Sequence, residues 1–251
     1  MKFKNKNVLI TGGTRGIGRA IALAFAEQGA RLALTYYSNE DAAQKTMSLI
    51  QGEEHLFLRS DVSKPEEVRK VVNEVALKFG SIDILINNAG IYLPHSIVDL
   101  PYKEWIYKWE KTIEVNLNGP ANFCYCVANY MIHEKKGKII NITSRGAYRG
   151  EPEHPAYGAA KAGLNSLTQS LAKKLAQYNI RVLGVAPGFV ETEMAKPYLH
   201  GPDKEAIISQ SPLNRAADPN EIAKAVLLLS EEGIDYLTGS IIDMNGASYF
   251  R

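Results

Sequence analysis

Val8-Leu9-Ile10-Thr11-Gly12-Gly13-Thr14-Arg15-Gly16-Ile17-Gly18 runs from a short apolar stretch through a glycine turn into a segment of helical period, about Arg19 to Gln28. Strand, tight turn and helix in that order let backbone come close to a pyrophosphate at a helix N-terminus, where N–H groups and the helix dipole favour an anion. A glycine cluster by itself says little. This one opens a βαβ unit whose second strand ends near Tyr36, the placement that a dinucleotide site requires.

Further apolar runs alternate with longer helical segments: Leu32-Ala33-Leu34, Leu56-Phe57-Leu58, Ile82 to Ile86, Ile139 to Ile142, Val182 to Val185 and Ile241-Ile242. With Val8 to Ile10 they make seven strand candidates in a βαβα rhythm. That rhythm predicts an α/β fold, a doubly wound, mainly seven-stranded parallel sheet with helices on both faces. Such sheets bind ligands at the carboxyl ends of strands near the switch in strand order, and the motif-bearing residues all follow strand candidates. No Gly/Ser/Pro-rich linker or charge run divides the chain, so residues 1–251 read as one domain. The rhythm breaks from Phe189 to Asn214, where Pro197, Gly201, Pro202 and Pro212 surround a short helical segment, Asp203 to Ser209. Residues 189–214 are expected to form a lid over the substrate, the alternative being an ordinary surface excursion.

A composition of 45% hydrophobic and 22% charged residues is globular, and a net charge of +2 leaves no electrostatic footprint for nucleic acid. Met1 to Asn7 lead straight into the first strand without the apolar stretch of a signal peptide, and no later run is long enough to span a bilayer. A cytoplasmic protein without a membrane partner is expected. Cys124 and Cys126, the only cysteines, point to different faces of a helix, so they read as packing residues and no metal site is expected.

At the nucleotide end, an NAD-preferring site would place an acid at the end of the second strand to hold the ribose 2′-hydroxyl, but Thr35-Tyr36-Tyr37-Ser38 stands there. Arg15 in the turn can instead pair with a 2′-phosphate, with Ser38 or Asn39 as further donors, which favours NADP over NAD. The plain alternative for Arg15 is a solvated loop charge. Asp61-Val62 are placed to meet the adenine, and Asn88-Ala89-Gly90 to bring backbone to the ribose. Asp61 is equally a cap for the helix that begins at Pro65-Glu66-Glu67, unless Ser63 takes that role.

Ser144, Tyr157 and Lys161 form a second constellation. Tyr157 and Lys161, at i and i+4, share one helix face, and Pro155 suits the first turn of that helix. Hydride transfer to a ketone leaves negative charge on oxygen, which calls for a proton donor and a second hydrogen bond. Tyr157 is the candidate donor and Ser144 the second bond. The Lys161 cation, with that of the nicotinamide in an oxidised cofactor, is expected to lower the phenol from its ordinary pKa of about 10. His95 and His154 read as loop histidines with no inferable partner.

The motifs Thr-Gly-x-x-x-Gly-x-Gly at Thr11 to Gly18, Asn87-Asn88-Ala89-Gly90, Asn116, Ser144, Tyr157-x-x-x-Lys161 and Pro187-Gly188 stand in order over nearly the whole chain. This ordered set closely resembles the short-chain dehydrogenase/reductase family. The resemblance implies a Rossmann-like domain, a nicotinamide cofactor and a catalytic group of Asn116, Ser144, Tyr157 and Lys161. It further implies that Lys161 holds the ribose hydroxyls, that Asn116 keeps a proton-relaying water, and that Val190 and Thr192 bind the nicotinamide carboxamide. The cofactor set is then Gly12, Thr14, Arg15, Gly16, Ile17, Gly18, Tyr36, Ser38, Asp61, Val62, Asn88, Ala89, Gly90, Tyr157, Lys161, Pro187, Gly188, Val190 and Thr192. The bland readings are a helix-surface pair for Tyr157 and Lys161, a strand end for Ser144 and a helix-bending residue for Asn116.

Ser211-Pro212-Leu213-Asn214-Arg215 followed by Pro219-x-Glu221-Ile222-Ala223 resembles the lid-to-helix passage of bacterial 3-oxoacyl-acyl-carrier-protein reductases. Lys135, Lys136, Lys138 and Lys173 are candidates to meet an acidic carrier protein. Three departures lie along the substrate mouth: Ile91 to Ser96 lacks the Thr-Arg-Asp of many such reductases, the stretch to Asn116 is longer, and the tail reads Asn245-Gly246-Ala247. A sugar, steroid or xenobiotic ketone is therefore the alternative substrate, with Tyr92, Trp105, Tyr148 and Tyr198 as candidates for an aromatic mouth. A non-catalytic dinucleotide-sensing protein is the alternative from another class. The resemblance also implies a homotetramer, with the helices around Tyr102 to Glu134 and Pro155 to Tyr178 pairing across one interface.

Overall fold

The computed structural model describes every residue but Glu53. Its strands are β1 (Asn7–Ile10), β2 (Arg31–Tyr36), β3 (Leu56–Arg59), β4 (Ile84–Asn87), β5 (Gly137–Ile142), β6 (Ile180–Pro187) and β7 (Ile241–Met244). All seven pair in parallel in one sheet of order β3-β2-β1-β4-β5-β6-β7. Successive side chains of a strand point to opposite faces, and here both faces are covered, which is why the strands read as unbroken apolar runs. Val8, Ile10, Leu34 and Ile86 pack beneath α1 (Gly16–Glu27) and α10 (Pro219–Ser230). Leu9, Leu85, Ile139 and Val182 pack on the other face. There they meet α3 (Pro65–Phe79), α5 (Gly119–Glu134) and α7 (Pro155–Leu175).

Local chemistry sets the helix ends. Pro65 and Pro155 occupy the first turns of α3 and α7, where a missing N–H costs nothing. Asp218 and Glu221 form a reciprocal capping box at the start of α10. α1 starts at Gly16, three residues before the expected Arg19, because the last glycines of the turn are themselves the first helical residues. β4 starts at Ile84, just after Asp83, whose carboxylate accepts the Asn7 N–H at 2.9 Å.

Two segments differ from expectation. The helical stretch from Tyr102 to Glu134 is broken into α4 (Tyr102–Ile113), a π turn at Glu114–Asn118, and α5. Between Phe189 and Asn214 lie two short helices, α8 (Lys196–Leu199) and α9 (Lys204–Ile208), of which only the second was foreseen. Among the described residues no helix is long and apolar enough to cross a membrane.

Strand order reverses at β1 and β4. Their carboxyl ends carry the glycine turn and Asn88-Ala89-Gly90, and a cavity of about 920 Å³ opens above them.

Candidate active site

Thr11 locks the two loops together. Its hydroxyl oxygen accepts the backbone N–H groups of Asn88 and Ala89, each at 3.0 Å. The Asn88 amide donates in return to the carbonyls of Thr11 and Gly12, again at 3.0 Å. Gly12 and Gly16 have φ of +62° and +51°, the left-handed region that glycine enters at little cost. A Cβ on Gly18 would collide with the Gly12 carbonyl oxygen, so the helix can begin directly under the turn only with glycine there. Arg19 supports the turn from below, donating to the Thr14 carbonyl and to the Thr46 hydroxyl at 2.9 Å. Sequence reading missed this brace, because Thr46 sits in α2 (Glu40–Leu49) with no motif to mark it.

The cavity collects the proposed cofactor residues except Gly18, which lies beneath the turn. Near the end of β2 it is bordered by Tyr36, Tyr37, Ser38 and Asn39, none of them acidic. Arg15 lines this end with its guanidinium half exposed and paired to Glu193 at 3.3 Å. Asn39 is less free than expected, since its side-chain Oδ1 caps α2 by accepting the Ala42 N–H at 2.9 Å. Neither Asp61 nor Ser63 caps α3, which follows Lys64 without a side-chain cap. Asp61 Oδ1 instead accepts the Ser63 N–H and hydroxyl at 2.9 and 2.7 Å, closing a local turn. The buried Ser60 hydroxyl lines the same end and has no hydrogen-bond partner among the described residues. The glycine cradle and this free hydroxyl fit a dinucleotide, with its pyrophosphate at the turn and its adenosine end toward Ser60.

α7 brings the chemical groups to the other end. Lys161 is only 4% exposed; its Nζ donates to the Ile142 carbonyl at 2.7 Å and lies 5.6 Å from the centre of the Tyr157 ring. Burial lowers the lysine pKa to about 8. Burial likewise pushes the Tyr157 phenol up to about 12, while its hydrogen bond with Ser144 pulls it down and the Glu151 carboxylate pushes it further up. The expected lowering of the phenol by Lys161 is thus overturned in this state, where loss of solvation dominates. Ser144 Oγ also accepts the Gly146 N–H at 3.0 Å.

Asn116 does not line the cavity. It is fully buried in the π turn, with its amide clamped on Ile91: Oδ1 accepts the Ile91 N–H at 2.9 Å and Nδ2 donates to the Ile91 carbonyl at 2.8 Å. The side chain therefore holds the loop after β4 and sits where the helix widens.

Both histidines gain partners that the sequence did not reveal. His95, fully buried, donates from Nδ1 to the Leu93 carbonyl at 2.7 Å and accepts the Ala156 N–H on Nε2 at 3.0 Å, which fixes its neutral tautomer and caps the helix carrying Tyr157. His154 stacks on Tyr92 at 3.5 Å and meets the Tyr198 hydroxyl at 2.9 Å, and burial lowers its pKa to about 4. Tyr92 in turn lies edge-on to Tyr157 at 4.7 Å and donates to Glu151 at 2.9 Å. Of the four aromatic candidates for the mouth, Tyr92 and Tyr198 line the cavity. Tyr148 instead stacks on Tyr249, and Trp105 on Trp109.

The charges beside this wall were also unforeseen. Arg145, next to Ser144, is 3% exposed and reaches the Gln210 amide oxygen at 2.6 Å. Arg149 reaches the same oxygen at 3.0 Å and pairs with Glu151 at 3.3 Å. The proposed carrier-binding lysines are elsewhere. Lys136 and Lys138 flank the start of β5, at the sheet end opposite the cavity, where Lys136 pairs with Asp83 at 3.3 Å and Lys138 with the Glu231 carbonyl. Lys173 sits in the last turn of α7, far along the helix from Tyr157.

Residues 12–246 match the family described as enoyl-(acyl carrier protein) reductase. The chain is 37% identical to the 3-oxoacyl-[acyl-carrier-protein] reductase FabG of Staphylococcus epidermidis, covering 98% of this chain and 99% of that one. Identity to the Chlamydia trachomatis reductase of the same name is 38%, over 96% of each chain. Among solved structures, gox2181 superposes with a TM-score of 0.91 at 30% identity, covering 98% of this chain and 96% of the other. A dehydrogenase/reductase from Sinorhizobium meliloti superposes at 0.89 and 29% identity, covering 99% and 97%.

Proposed function

Because the chain belongs to the short-chain dehydrogenase/reductase family, oxidoreductases that act on C=O and CH–OH groups with a nicotinamide dinucleotide, we propose that it reduces a 3-oxoacyl group carried as a thioester on acyl carrier protein, using NADPH in preference to NADH. The observation that carries the reaction type is the convergence of Ser144, Tyr157 and Lys161 on one cavity with the glycine turn. The substrate class rests on the relatives, which are named for 3-oxoacyl reduction.

The bound nicotinamide supplies or accepts the hydride. Tyr157 holds the proton that the carbonyl oxygen needs, and with its pKa near 12 the phenol is in its donor form throughout the neutral range. Ser144 gives the second hydrogen bond to that oxygen. Lys161, charged below about pH 8, binds the ribose hydroxyls and favours the phenolate that forms as the proton leaves. Asn116 fixes the Gly90-Ile91 backbone, and the widened turn beneath it holds the proton-relaying water. Residues 189–214 close over the substrate as a lid.

Preference for NADPH is supported by the lack of a carboxylate among Tyr36 to Asn39 and by the open guanidinium of Arg15. Glu193 is a resident counter-ion that a 2′-phosphate displaces. The exposed apolar groups Tyr102, Tyr107 and Tyr125 on α4 and α5, with Tyr236 and Phe250 near the C-terminus, support a homotetramer built through those surfaces. Cytoplasmic location follows from the proposed role.

A second reading, a dehydrogenase for a sugar, steroid or xenobiotic ketone, is favoured by the aromatic wall of Tyr92, His154 and Tyr198. The test is NADPH consumption by the purified protein against a panel of 3-oxoacyl thioesters, sugars and cyclic ketones. Highest kcat/KM on the thioesters is expected. Preference for a cyclic ketone or sugar selects the second reading, and cofactor binding without turnover of any member makes the protein a sensor.

A further inference from the structure

Among the described residues, the only side-chain hydrogen-bond partner of the buried Arg145 charge is a neutral amide. Its guanidinium lies over the Phe189 ring, 5.1 Å from the ring centre, and donates to Gln210 Oε1. Arg149 donates to that same oxygen, so two cations converge on one uncharged acceptor. The only carboxylate of the group, Glu151, is held by Arg149 and Tyr92. Two guanidinium groups against one carboxylate leave a net charge of about +1 beside the cavity, where a buried ion without a counter-charge is costly. Neither neutral His154 nor the protonated tyrosines of the wall cancel it.

Arg145 directly follows Ser144, and both line the cavity. Gln210, by contrast, is an exposed residue at the end of the excursion between β6 and α10. An oxygen of the substrate can therefore replace it as the acceptor for Arg145 with little disturbance of the core. We propose that Arg145 binds a second oxygen of the substrate, the carboxylate or thioester carbonyl oxygen beside the ketone being reduced, and that Gln210 holds the guanidinium until the substrate arrives. The inference rests on the 3-oxoacyl reading for the placement of that oxygen and goes beyond it by naming the residue that recognises it. An isolated ketone has no group to offer Arg145. A 3-oxo carboxylate and a 3-oxo thioester share the required sp² oxygen, the first adding a formal charge.

The test compares kcat/KM, with NADPH, for an acetoacetyl thioester, acetoacetate and butanone in wild type, Arg145→Met and Gln210→Glu. Wild type is expected to prefer one or both acetoacetyl compounds over butanone by at least ~10-fold, the strength of a charge-assisted hydrogen bond. Greater preference for acetoacetate identifies a carboxylate as the partner, and greater preference for the thioester its carbonyl oxygen. Arg145→Met is expected to reduce the preference several-fold or more. Gln210→Glu, a change at an exposed position that need not threaten folding, places a carboxylate on both arginines and is expected to raise KM for the acetoacetyl compounds more than for butanone. If Arg145→Met does not fold, Gln210→Glu decides alone. An unchanged preference in Gln210→Glu, or in a folded Arg145→Met, overturns the inference while leaving the oxidoreductase reading intact. Absence of turnover on all three compounds by wild type overturns both.

Discussion

The two ends of the cavity are built from different materials. At the glycine-turn end the cavity is shaped mainly by backbone, and side chains such as Thr11, Asn88 and Arg19 act by holding that backbone in place. At the other end the wall is side chains: Tyr92 from the loop after β4, Arg145 and Arg149 around α6 (Gly146–Arg149), and Tyr198 from the segment 189–214, with His154 and Gln210 bonded to that wall from behind. Backbone recognition tolerates little change at the glycines and at the few side chains that brace them. A wall assembled from many segments can be re-chosen one residue at a time, so substrate can vary while cofactor chemistry stays fixed.

Breaking the backbone end should have the larger effect. Gly18→Ala forces its new methyl group onto the Gly12 carbonyl, and the resulting shift of the turn is expected to weaken cofactor binding by up to ~100-fold, the upper range for overpacking. Cofactor titration by fluorescence checks it, and affinity within twofold of wild type would mean that the turn does not hold the pyrophosphate.

Lys161→Ala sits where the two ends join and should damage both, by tens of fold in turnover and several-fold in cofactor affinity. In wild type the charged lysine is lost as pH rises through about 8, so kcat/KM for reduction should fall on that side, and the limb should be absent from the mutant. The same depressed pKa makes the free protein gain stability between about pH 8 and the ordinary lysine value of 10.5, because the unfolded chain binds more protons there. Denaturation midpoints across that window read the sign.

Smaller effects sharpen the contrast. Arg15→Ala should weaken NADPH by about tenfold and NADH much less, since its charge-assisted contact is made only with the 2′-phosphate. Tyr36→Asp should shift preference toward NADH. Equal wild-type affinities for the two cofactors would show that Arg15 serves only Glu193. Lys173→Glu should leave KM for a carrier-bound substrate within about twofold, because that lysine stands at the far end of α7. A large rise would return carrier docking to that surface.

What could be read in advance follows the same division. Glycines at fixed spacing after an apolar run disclose a turn, and the pairing of Tyr157 with Lys161 needs only the helix repeat. The neighbours of His95 and Arg145 are set by tertiary placement, which local pattern does not encode. Tyr148 and Trp105 were misplaced for the same reason, since an aromatic residue near a motif has several partners to choose from. The phenol pKa was misjudged because a nearby cation was weighed without the loss of solvation that brings the two groups together.

The most direct measurement is turnover and NADPH affinity of Tyr157→Phe taken on one preparation beside wild type. The change removes a single hydroxyl that acts at the carbonyl oxygen. The expected result is a loss of at least ~100-fold in reduction of the preferred ketone with the dissociation constant for NADPH nearly unchanged. Near-native turnover in the folded mutant would contradict the assignment of Tyr157 as proton donor, and with it the division of the cavity into a cofactor end and a chemical end.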